Sequence, residues 1–357
     1  MNKEFIDNLS QIPNNYKLAL YGIGGDGINF LKLVKEERKD LEIIYLINDH
    51  KVLNDYKVYT LDAISLDNID MIVVSSSFFW YSLVQNLDKK QIQKYKILNP
   101  YFNFLYNDKD FLEKHFFLDD TYSIKEYNDV KDIFTCIEDK ILFDIVVDAR
   151  SYELNKLIYL YEYYMNNFRE KIEYLGYINK KEIAIVIEGG VYDGKNTLQF
   201  LENFPNITNI YGFEPFPKRE LSLNKVKIEN YALWDCDEIV YMKEDDQSSR
   251  IDGTEQTVKV NAINLDNFVY QRDIRNVDYI KLDIEGAELK ALRGAIKLLK
   301  EFRPQLAICI YHTKNDIFDI PKFLSENLEE YIFRLGHYST SIWDTVLYAI
   351  PKEKYGE

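Results

Sequence analysis

Three acidic side chains surround a single glycine in the segment IKLDIEGAELKAL, residues 280–292. Asp283 and Glu285 precede Gly286, and Glu288 follows it. The apolar residues before Asp283 are typical of a buried strand, and ligands bind at the carboxyl ends of strands in doubly wound sheets. Asp283 and Glu285 alternate along the extended segment, so both can face one cleft, where we predict catalytic roles. Glu288 suits the dipole of the helix that follows.

A histidine ends the next predicted strand. The segment ICIYH places His312 at the neighbouring carboxyl end, beside Asp283. His312 held by Asp283 could act as a general base. The alternative is a hard cation such as Mg²⁺, with Asp283, Glu285 and His312 as candidate ligands. A purely structural role for His312 is equally open, and His337, within RLGHYS, is a weaker candidate.

A glycine-rich segment, EIAIVIEGGVYDGKNTLQFL, follows another predicted strand. Its candidate binding residues are Glu188, Gly189, Gly190, Asp193, Gly194 and Asn196. The glycines permit close backbone approach, and the helix N-terminus that follows suits an adenosyl group with a charged amino-acid tail. The segment lacks the Lys-Ser/Thr ending of a phosphate-cradling P-loop, so that motif is excluded.

The next two predicted strands supply further candidates. The strand NIYGFEP ends in Glu214, about 20 residues after the glycines, where a carboxylate can accept hydrogen bonds from ribose hydroxyls. The strand KIENYALWD ends in Ala232 and Leu233, which can form an apolar wall for an adenine ring. Ser248 and Ser249, with Arg250, either contact the ligands or lie in a solvated loop.

The amino-terminal segment KLALYGIGGDGINF carries a second glycine turn. Gly22, Gly24 and Gly27 have the G-x-G-x-x-G spacing of a dinucleotide-binding turn, and Asp49 follows about 20 residues later, where it could meet a ribose. Strands and helices alternate through residues 15–105, which predicts a small doubly wound domain. Tight strand-to-helix turns need glycines even without a ligand, so nucleotide binding and a purely structural turn both remain open.

Length and composition limit the classes of protein to which this chain could belong. At 357 residues the chain is long for one domain, and 46% hydrophobic residues supply ample core material. A net charge of −15 argues against a nucleic-acid partner. Three cysteines suggest neither a disulfide framework nor a zinc cluster. Neither a signal peptide nor a membrane-spanning stretch is recognisable, so we expect a cytoplasmic protein.

Several segments, in order, carry a family resemblance. The segments IEGGVYDG, GFEPFP, NYAL, SSRI, INLDNF and YIKLDIEGAELKALRGAIKLLKEFRPQLAI resemble the FkbM-type family of S-adenosylmethionine-dependent methyltransferases over residues 183–350. One departure is that this family usually has Asp at the position of Glu188. Carried over by position, Glu188, Gly190, Asp193, Gly194 and Asn196 would line the methionine moiety of the cofactor. Glu214 would bind its ribose.

The predicted fold class is α/β. We expect two doubly wound Rossmann-like domains joined by a helical connector, the second with the seven-stranded class I methyltransferase fold that the resemblance implies. The predicted boundaries are residues 1–106 for a nucleotide-binding or recognition domain, 107–180 for the connector and 181–357 for the methyltransferase domain.

The resemblance implies an enzyme that uses S-adenosylmethionine, with or without Mg²⁺. Its acceptor would be a small polar molecule, foremost a sugar or nucleotide-activated sugar that is O-methylated in bacterial surface-glycan biosynthesis. The sequence leaves open whether the protein forms a homo-oligomer.

Other functions also stay open. The closest is N-methylation of a small amine or amide. An NAD-dependent oxidoreductase could use Gly22, Gly24 and Gly27, although no Tyr-x-x-x-Lys pair follows them. A non-catalytic nucleotide-binding protein is the third alternative.

Overall fold

A computed structural model describes residues 4–49, 56–77, 79–103, 117–118, 124–150, 154–218, 223–243, 250–251 and 258–355. The chain forms two compact units. The first comprises Met1–Phe117 and Ser151–Glu162, and the second comprises Leu118–Arg150 and Tyr163–Glu357. The three-part division predicted from the sequence stays a prediction. Within the described parts of the chain, no helix combines the length and apolarity that crossing a membrane requires.

The first unit contains a parallel five-stranded sheet with the order β1-β5-β4-β2-β3. Its strands are β1 (Phe5–Ile6), β2 (Lys17–Tyr21), β3 (Glu42–Ile47), β4 (Met71–Val74) and β5 (Tyr95–Leu98). Helices α1 (Gly25–Glu37) and α2 (Trp80–Lys89) belong to the same unit. Leu18 and Leu20 contribute to one hydrophobic cluster, and the alternating Ala19 and Tyr21 contribute to another. Both faces of β2 are therefore buried, as expected for a central parallel strand.

The glycine turn between β2 and α1 is explained largely by packing. Gly22 has φ +91°, and a Cβ at this position would lie 2.5 Å from Leu83 Cδ1. A Cβ on Gly27 would lie 2.9 Å from the Ser75 hydroxyl, whereas a Cβ on Gly24 would meet no atom within 4 Å. Gly22 and Gly27 are therefore required by the turn itself, and Gly24 is the position that a ligand could approach.

The second unit contains the seven-stranded sheet that the resemblance implied, so this expectation is confirmed. Its order is β15-β16-β14-β13-β6-β7-β8. The strands β14, β13, β6, β7 and β8 are parallel, and β16 runs antiparallel to both of its neighbours, β14 and β15. The strands are β6 (Ile185–Gly189), β7 (Asn209–Phe213), β8 (Val226–Glu229), β13 (Tyr279–Leu282), β14 (Gln305–Cys309), β15 (Tyr331–His337) and β16 (Thr345–Pro351). The carboxyl ends of β13, β6 and β7 therefore lie side by side.

A smaller sheet lies in the same unit, with the order β11-β10-β12-β9. Its strands are β9 (Ala232–Leu233), β10 (Glu238–Lys243), β11 (Arg250–Ile251) and β12 (Val258–Ile263). The remaining helices of the described chain are α3 (Ile124–Lys131), α4 (Ile137–Ala149), α5 (Leu154–Asn167), α6 (Lys195–Asn203), α7 (Leu265–Gln271), α8 (Glu288–Arg293), α9 (Ile296–Phe302) and α10 (Asp316–Asn327).

The region predicted as a helical connector supplies helices to both units. Helix α4 belongs to the second unit, where it packs against β15. There Arg334 donates to Asp139 Oδ2 at 2.6 Å, and the Leu335 N–H donates to Asp139 Oδ1 at 3.1 Å. The first part of α5 belongs to the first unit, where Tyr161 packs against Trp80. The connector residues thus take part in the folding of both units.

The turn geometry of the first unit predicts different effects for two glycine substitutions. Gly22→Ala should destabilise this unit by more than about 2 kcal/mol, because it combines a left-handed backbone with a clash against Leu83. Gly25→Ala is the control: it lies at the start of α1 with open space around it, and should be neutral or slightly stabilising. Urea unfolding of both variants measures the difference. Equal stabilities would contradict the packing explanation.

Candidate active site

A buried lysine lies in the middle of the central strand β13. The Lys281 side chain is 1% exposed, and its Nζ donates to the carbonyl oxygens of Gly189 at 3.1 Å and Gly190 at 2.6 Å. Burial opposes the charge, but Asp283 and Glu188 hold the pKa of Lys281 above its ordinary value. The buried ammonium group of Lys281 therefore binds the backbone carbonyls of the glycine turn.

Gly190 permits the close packing of that turn against Asp283. Its φ is +76°, and a Cβ at this position would lie only 1.8 Å from the Asp283 carbonyl oxygen. The Gly190 N–H donates to the Phe213 carbonyl at 2.9 Å, and the Asp283 N–H donates to the Gly189 carbonyl at 3.2 Å. The ends of β6, β7 and β13 are thereby joined through one backbone network.

Glu214 holds the next loop. Its Oε2 accepts the Tyr192 N–H at 3.0 Å and its Oε1 accepts the Phe216 N–H at 3.1 Å. The residue is 8% exposed and lines a cleft. Each carboxylate oxygen can accept more than one hydrogen bond, so Glu214 retains acceptor capacity towards this cleft.

Glu188 lies beneath the cleft surface. It is fully buried and accepts the Thr197 hydroxyl at 2.6 Å through Oε2. Burial raises the pKa of Glu188 to about 7, although Lys281 and Thr197 oppose that rise. The described residues that line the cleft do not include Glu188, Gly189 or Gly194. Their predicted cofactor contacts stay predictions, and Glu188 is placed to support α6 through Thr197.

The Asp283 carboxylate is held on both oxygens. Oδ2 accepts the Tyr174 hydroxyl at 2.9 Å and lies 3.6 Å from Lys281 Nζ. Oδ1 accepts the Tyr311 hydroxyl at 3.5 Å and lies 3.3 Å from His312 Nε2. Burial opposes ionisation, but Lys281 and His312 hold the pKa of Asp283 well below its usual value. Asp283 is therefore a fixed carboxylate, with its side chain 25% exposed.

His312 lies among three carboxylates. Its Nδ1 lies 2.9 Å from Glu288 Oε1, and its Nε2 lies 3.3 Å from Asp283 Oδ1 and 3.7 Å from Glu285 Oε2. These are ion-pair distances, but within the described residues neither ring nitrogen makes a contact with hydrogen-bond geometry. Burial lowers the pKa of His312, and Glu288 and Asp283 more than compensate, so the pKa lies well above its ordinary value.

The turn after β13 orients the remaining two acids differently. Glu285 and Gly286 both have left-handed backbones, with φ +57° and +95°. The buried carboxylate of Glu288 accepts the Ile284 N–H at 2.7 Å and the Gly286 N–H at 3.0 Å, which closes the turn. Asp283 and Glu285 both line the cleft, and so does Ile284 between them. The turn after β13, not the strand alternation expected from the sequence, therefore brings the two acids to the cleft.

The cleft brings together most of the sequence candidates. Those that line it are Gly190, Asp193, Asn196, Glu214, Ala232, Leu233, Asp283 and Glu285. Sequence reasoning missed several other lining residues, namely Tyr192, Phe213, Phe216, Tyr231, Met242 and Tyr311. Their aromatic and apolar side chains carried no spacing signal that distinguishes a cleft wall from a core. The structure leaves His312 behind this lining.

The structure also shows the surroundings of Asp193 and of the weaker sequence candidates. Asp193 accepts the Lys195 N–H at 3.1 Å and pairs with Lys195 Nζ at 2.5 Å, which fixes the start of α6. His337 is fully buried, with Nδ1 2.9 Å from the Thr345 hydroxyl, and burial lowers its pKa to about 3. Ser248 and Ser249 lie outside the described residues, and of Arg250 only its place on β11 is described.

In the first unit, the Asp49 carboxylate is already occupied by protein groups. Oδ1 accepts the Leu61 N–H at 2.9 Å, and Oδ2 accepts the Tyr21 hydroxyl. The predicted contact between Asp49 and a ribose stays a prediction, and the structure gives this residue a role in holding β3.

Comparison with known proteins agrees with this architecture. Residues 188–335 match the model of the methyltransferase FkbM domain. This part of the chain is similar to methyltransferase FkbM domains. The crystal structure of methyltransferase FkbM from Methylobacillus flagellatus KT is similar in fold, with a TM-score of 0.58 and 16% sequence identity. That similarity covers 96% of this chain and 92% of the other. A search of curated proteins finds no significant match.

The family resemblance inferred from the sequence is therefore confirmed. A methyltransferase is favoured over the oxidoreductase and over the non-catalytic binding protein, because the matched domain contains the whole cleft lining from Gly190 to Tyr311.

The buried Glu188 predicts a pH-dependent contribution to stability. Because its folded-state pKa is raised from 4.5 to about 7, its contribution is full below pH 4.5 and is lost as the pH rises through 7. The difference in unfolding free energy between wild type and Glu188→Gln should therefore fall by up to about 3 kcal/mol between pH 4.5 and pH 8. Denaturant unfolding across this range measures it.

Glu202→Gln is the matched control, since Glu202 is exposed on the same helix as Thr197. A pH-independent difference for Glu188→Gln would show that Glu188 ionises normally in the folded protein.

Proposed function

We propose that the FkbM domain is an S-adenosylmethionine-dependent O-methyltransferase whose acceptor is a sugar or nucleotide-activated sugar of bacterial surface-glycan biosynthesis. The observation that carries the proposal is the cleft at the carboxyl ends of β6, β7 and β13, with Glu214 on one side and Asp283 and Glu285 on the other. This is where ligands bind in doubly wound sheets.

The residues that line the cleft suit this cofactor. Glu214 offers a carboxylate acceptor to ribose hydroxyls, and Ala232, Leu233 and Met242 offer apolar surface to an adenine ring. Asp193 and Asn196 would hold the amino-acid portion at the start of α6. The cofactor carries a methyl group on a positively charged sulfonium, and the acidic lining favours a cation electrostatically.

The enzyme must also position the acceptor and remove its proton. A sugar hydroxyl is a weak acid, so proton removal needs a base or a cation within hydrogen-bond reach. Asp283 and Glu285 line the cleft, so we assign this task to them or to a cation that they hold. His312 is 6% exposed and lies behind Asp283, so a role as general base would require transfer through one of these carboxylates.

The acceptor class is supported by the polar groups that line the cleft and by the sugar acceptor that the family resemblance implies. Incubation with S-adenosylmethionine and a panel of sugars, nucleotide sugars and small amines, followed by mass spectrometry and product analysis, tests it. Methylation of amines with no sugar modified would replace O-methylation by N-methylation.

We further propose that the first unit recognises the acceptor or another subunit and carries out no redox chemistry. The open turn at Gly24 supports a diphosphate contact, because backbone N–H groups at helix starts bind phosphates. Gly24→Glu should raise the KM for a nucleotide-sugar acceptor at least about tenfold through charge repulsion, with the Kd of S-adenosylmethionine unchanged. Gly25→Ala serves as the control, and an unchanged KM for Gly24→Glu would exclude the turn from acceptor binding.

The Glu214 contact predicts a measurable loss of cofactor affinity. Glu214→Ala should weaken S-adenosylmethionine binding by roughly 1 to 3 kcal/mol, the scale of hydrogen bonds to a charged group. Isothermal titration calorimetry with S-adenosylmethionine and S-adenosylhomocysteine measures this change. Glu229→Ala is the control, because Glu229 ends the neighbouring strand β8 and pairs with Arg272 instead. Wild-type affinity in Glu214→Ala, with thermal stability retained, would refute the assignment.

A further inference from the structure

Asp283, Glu285 and His312 form an unusual group of possible ligands at the ends of β13 and β14. The His312 side chain is 6% exposed, and its Nε2 lies 3.3 Å from Asp283 Oδ1 and 3.7 Å from Glu285 Oε2. No hydrogen bond of normal geometry to either ring nitrogen is found within the described part of the chain. A bound cation would supply the missing partner of this buried imidazole, which lies beside two carboxylates.

The spacing of these atoms fits one divalent ion. Nitrogen and oxygen ligands about 2.1 Å from an ion lie roughly 3.0 to 3.5 Å apart at octahedral to tetrahedral angles. The two separations at Nε2 are within a few tenths of an ångström of that range. Asp283, Glu288 and His312 also offer ligand atoms that all lie within 4.8 Å of one another.

Glu288 is better placed as a supporting group than as a ligand on the same ion. It lies 2.9 Å from Nδ1, on the opposite edge of the imidazole from Nε2. Histidines that bind metals through one ring nitrogen commonly direct the other at a carboxylate, which fixes the ring orientation. Glu288 is itself fixed by the backbone N–H groups of Ile284 and Gly286.

The charge of the site also favours a bound cation. Three carboxylates, those of Asp283, Glu285 and Glu288, surround His312, and Lys281 lies 3.6 Å from Asp283. Lys281 also faces Glu188, so the acidic groups of this site outnumber the one lysine. A divalent cation would offset part of this excess negative charge.

We propose that Asp283, Glu285 and His312 Nε2 bind a divalent cation, with Glu288 orienting the imidazole. One imidazole and two carboxylates suit ions that accept both nitrogen and oxygen, such as Mn²⁺. Because Asp283 and Glu285 line the cleft, the remaining coordination positions face the acceptor. The role in acceptor activation rests on the proposed methyltransferase function: the cation would lower the pKa of the acceptor hydroxyl. Cation binding itself does not depend on that function.

Binding of Mn²⁺ alone to the full-length protein tests the site. After EDTA treatment and removal of EDTA, titration followed by electron paramagnetic resonance should show saturable binding of one ion per chain. His312→Asn and Asp283→Asn should each weaken binding more than about 100-fold, and Glu288→Gln about 10- to 100-fold. Asp235→Asn should leave binding unchanged, since Asp235, Cys236 and Glu238 form a second, more exposed group of closely spaced ligand atoms.

Pulsed resonance on the wild type covers the case in which a variant fails to fold. Coupling of bound Mn²⁺ to an imidazole nitrogen should be present, and its absence would overturn the proposal. Lack of saturable Mn²⁺ binding, or an equal loss of Mn²⁺ affinity in Asp235→Asn and His312→Asn, would also overturn it.

Calorimetry with S-adenosylmethionine in EDTA separates the cation site from the proposed methyltransferase function. Cofactor binding without a cation site would reject only this inference, and a cation site without cofactor binding would reject only the methyltransferase mechanism.

Discussion

The buried charge of Lys281 is the constraint on which the active-site geometry depends. An isolated ammonium inside a protein is strongly unfavourable, so its three N–H groups need partners that the fold must supply. Here the carbonyl oxygens of Gly189 and Gly190 and the carboxylate of Asp283 lie around it. Lys281 therefore links the end of β6 to the end of β13, and the glycine turn and the catalytic candidate are positioned by the same cation.

This arrangement explains why Gly190 and Asp283 must be considered together. The Gly190 Cα approaches the Asp283 carbonyl so closely that a side chain cannot be accommodated. That contact brings the glycine turn and the acidic strand end to one cleft. Tyr174 adds a further restraint, since its hydroxyl bonds Asp283 Oδ2 and its backbone carbonyl accepts the Tyr279 hydroxyl at 2.7 Å. The carboxylate thus has little freedom to turn away from the cleft.

Much of this fold could be predicted from the sequence, because parallel strands bring their carboxyl ends to one edge. Glu214 and Asp283 directly follow apolar strands. Asp283 and Glu285 share the cleft because of the turn after β13, in which Glu285 has a left-handed backbone, and not through strand alternation. The partners that set their chemistry were not predictable in the same way. Tyr174 lies 109 residues from Asp283 in the chain, in a region whose composition indicated only helix. Lys281 resembles an ordinary polar position within a strand until the carbonyls beneath it are located.

The position of Glu188 shows a limit of reading chemistry from strand ends. A carboxylate at the end of β6 matches the pattern of a ligand contact, yet a strand-end side chain can point inward as readily as outward. Its Thr197 contact directs Glu188 into the core, while Asp283, at the end of the adjacent strand, reaches the cleft. Because Asp283 also holds Lys281 and Tyr174, loss of turnover after its substitution would not separate chemistry from structure. A function for such a residue has to be established by measuring what binds to it.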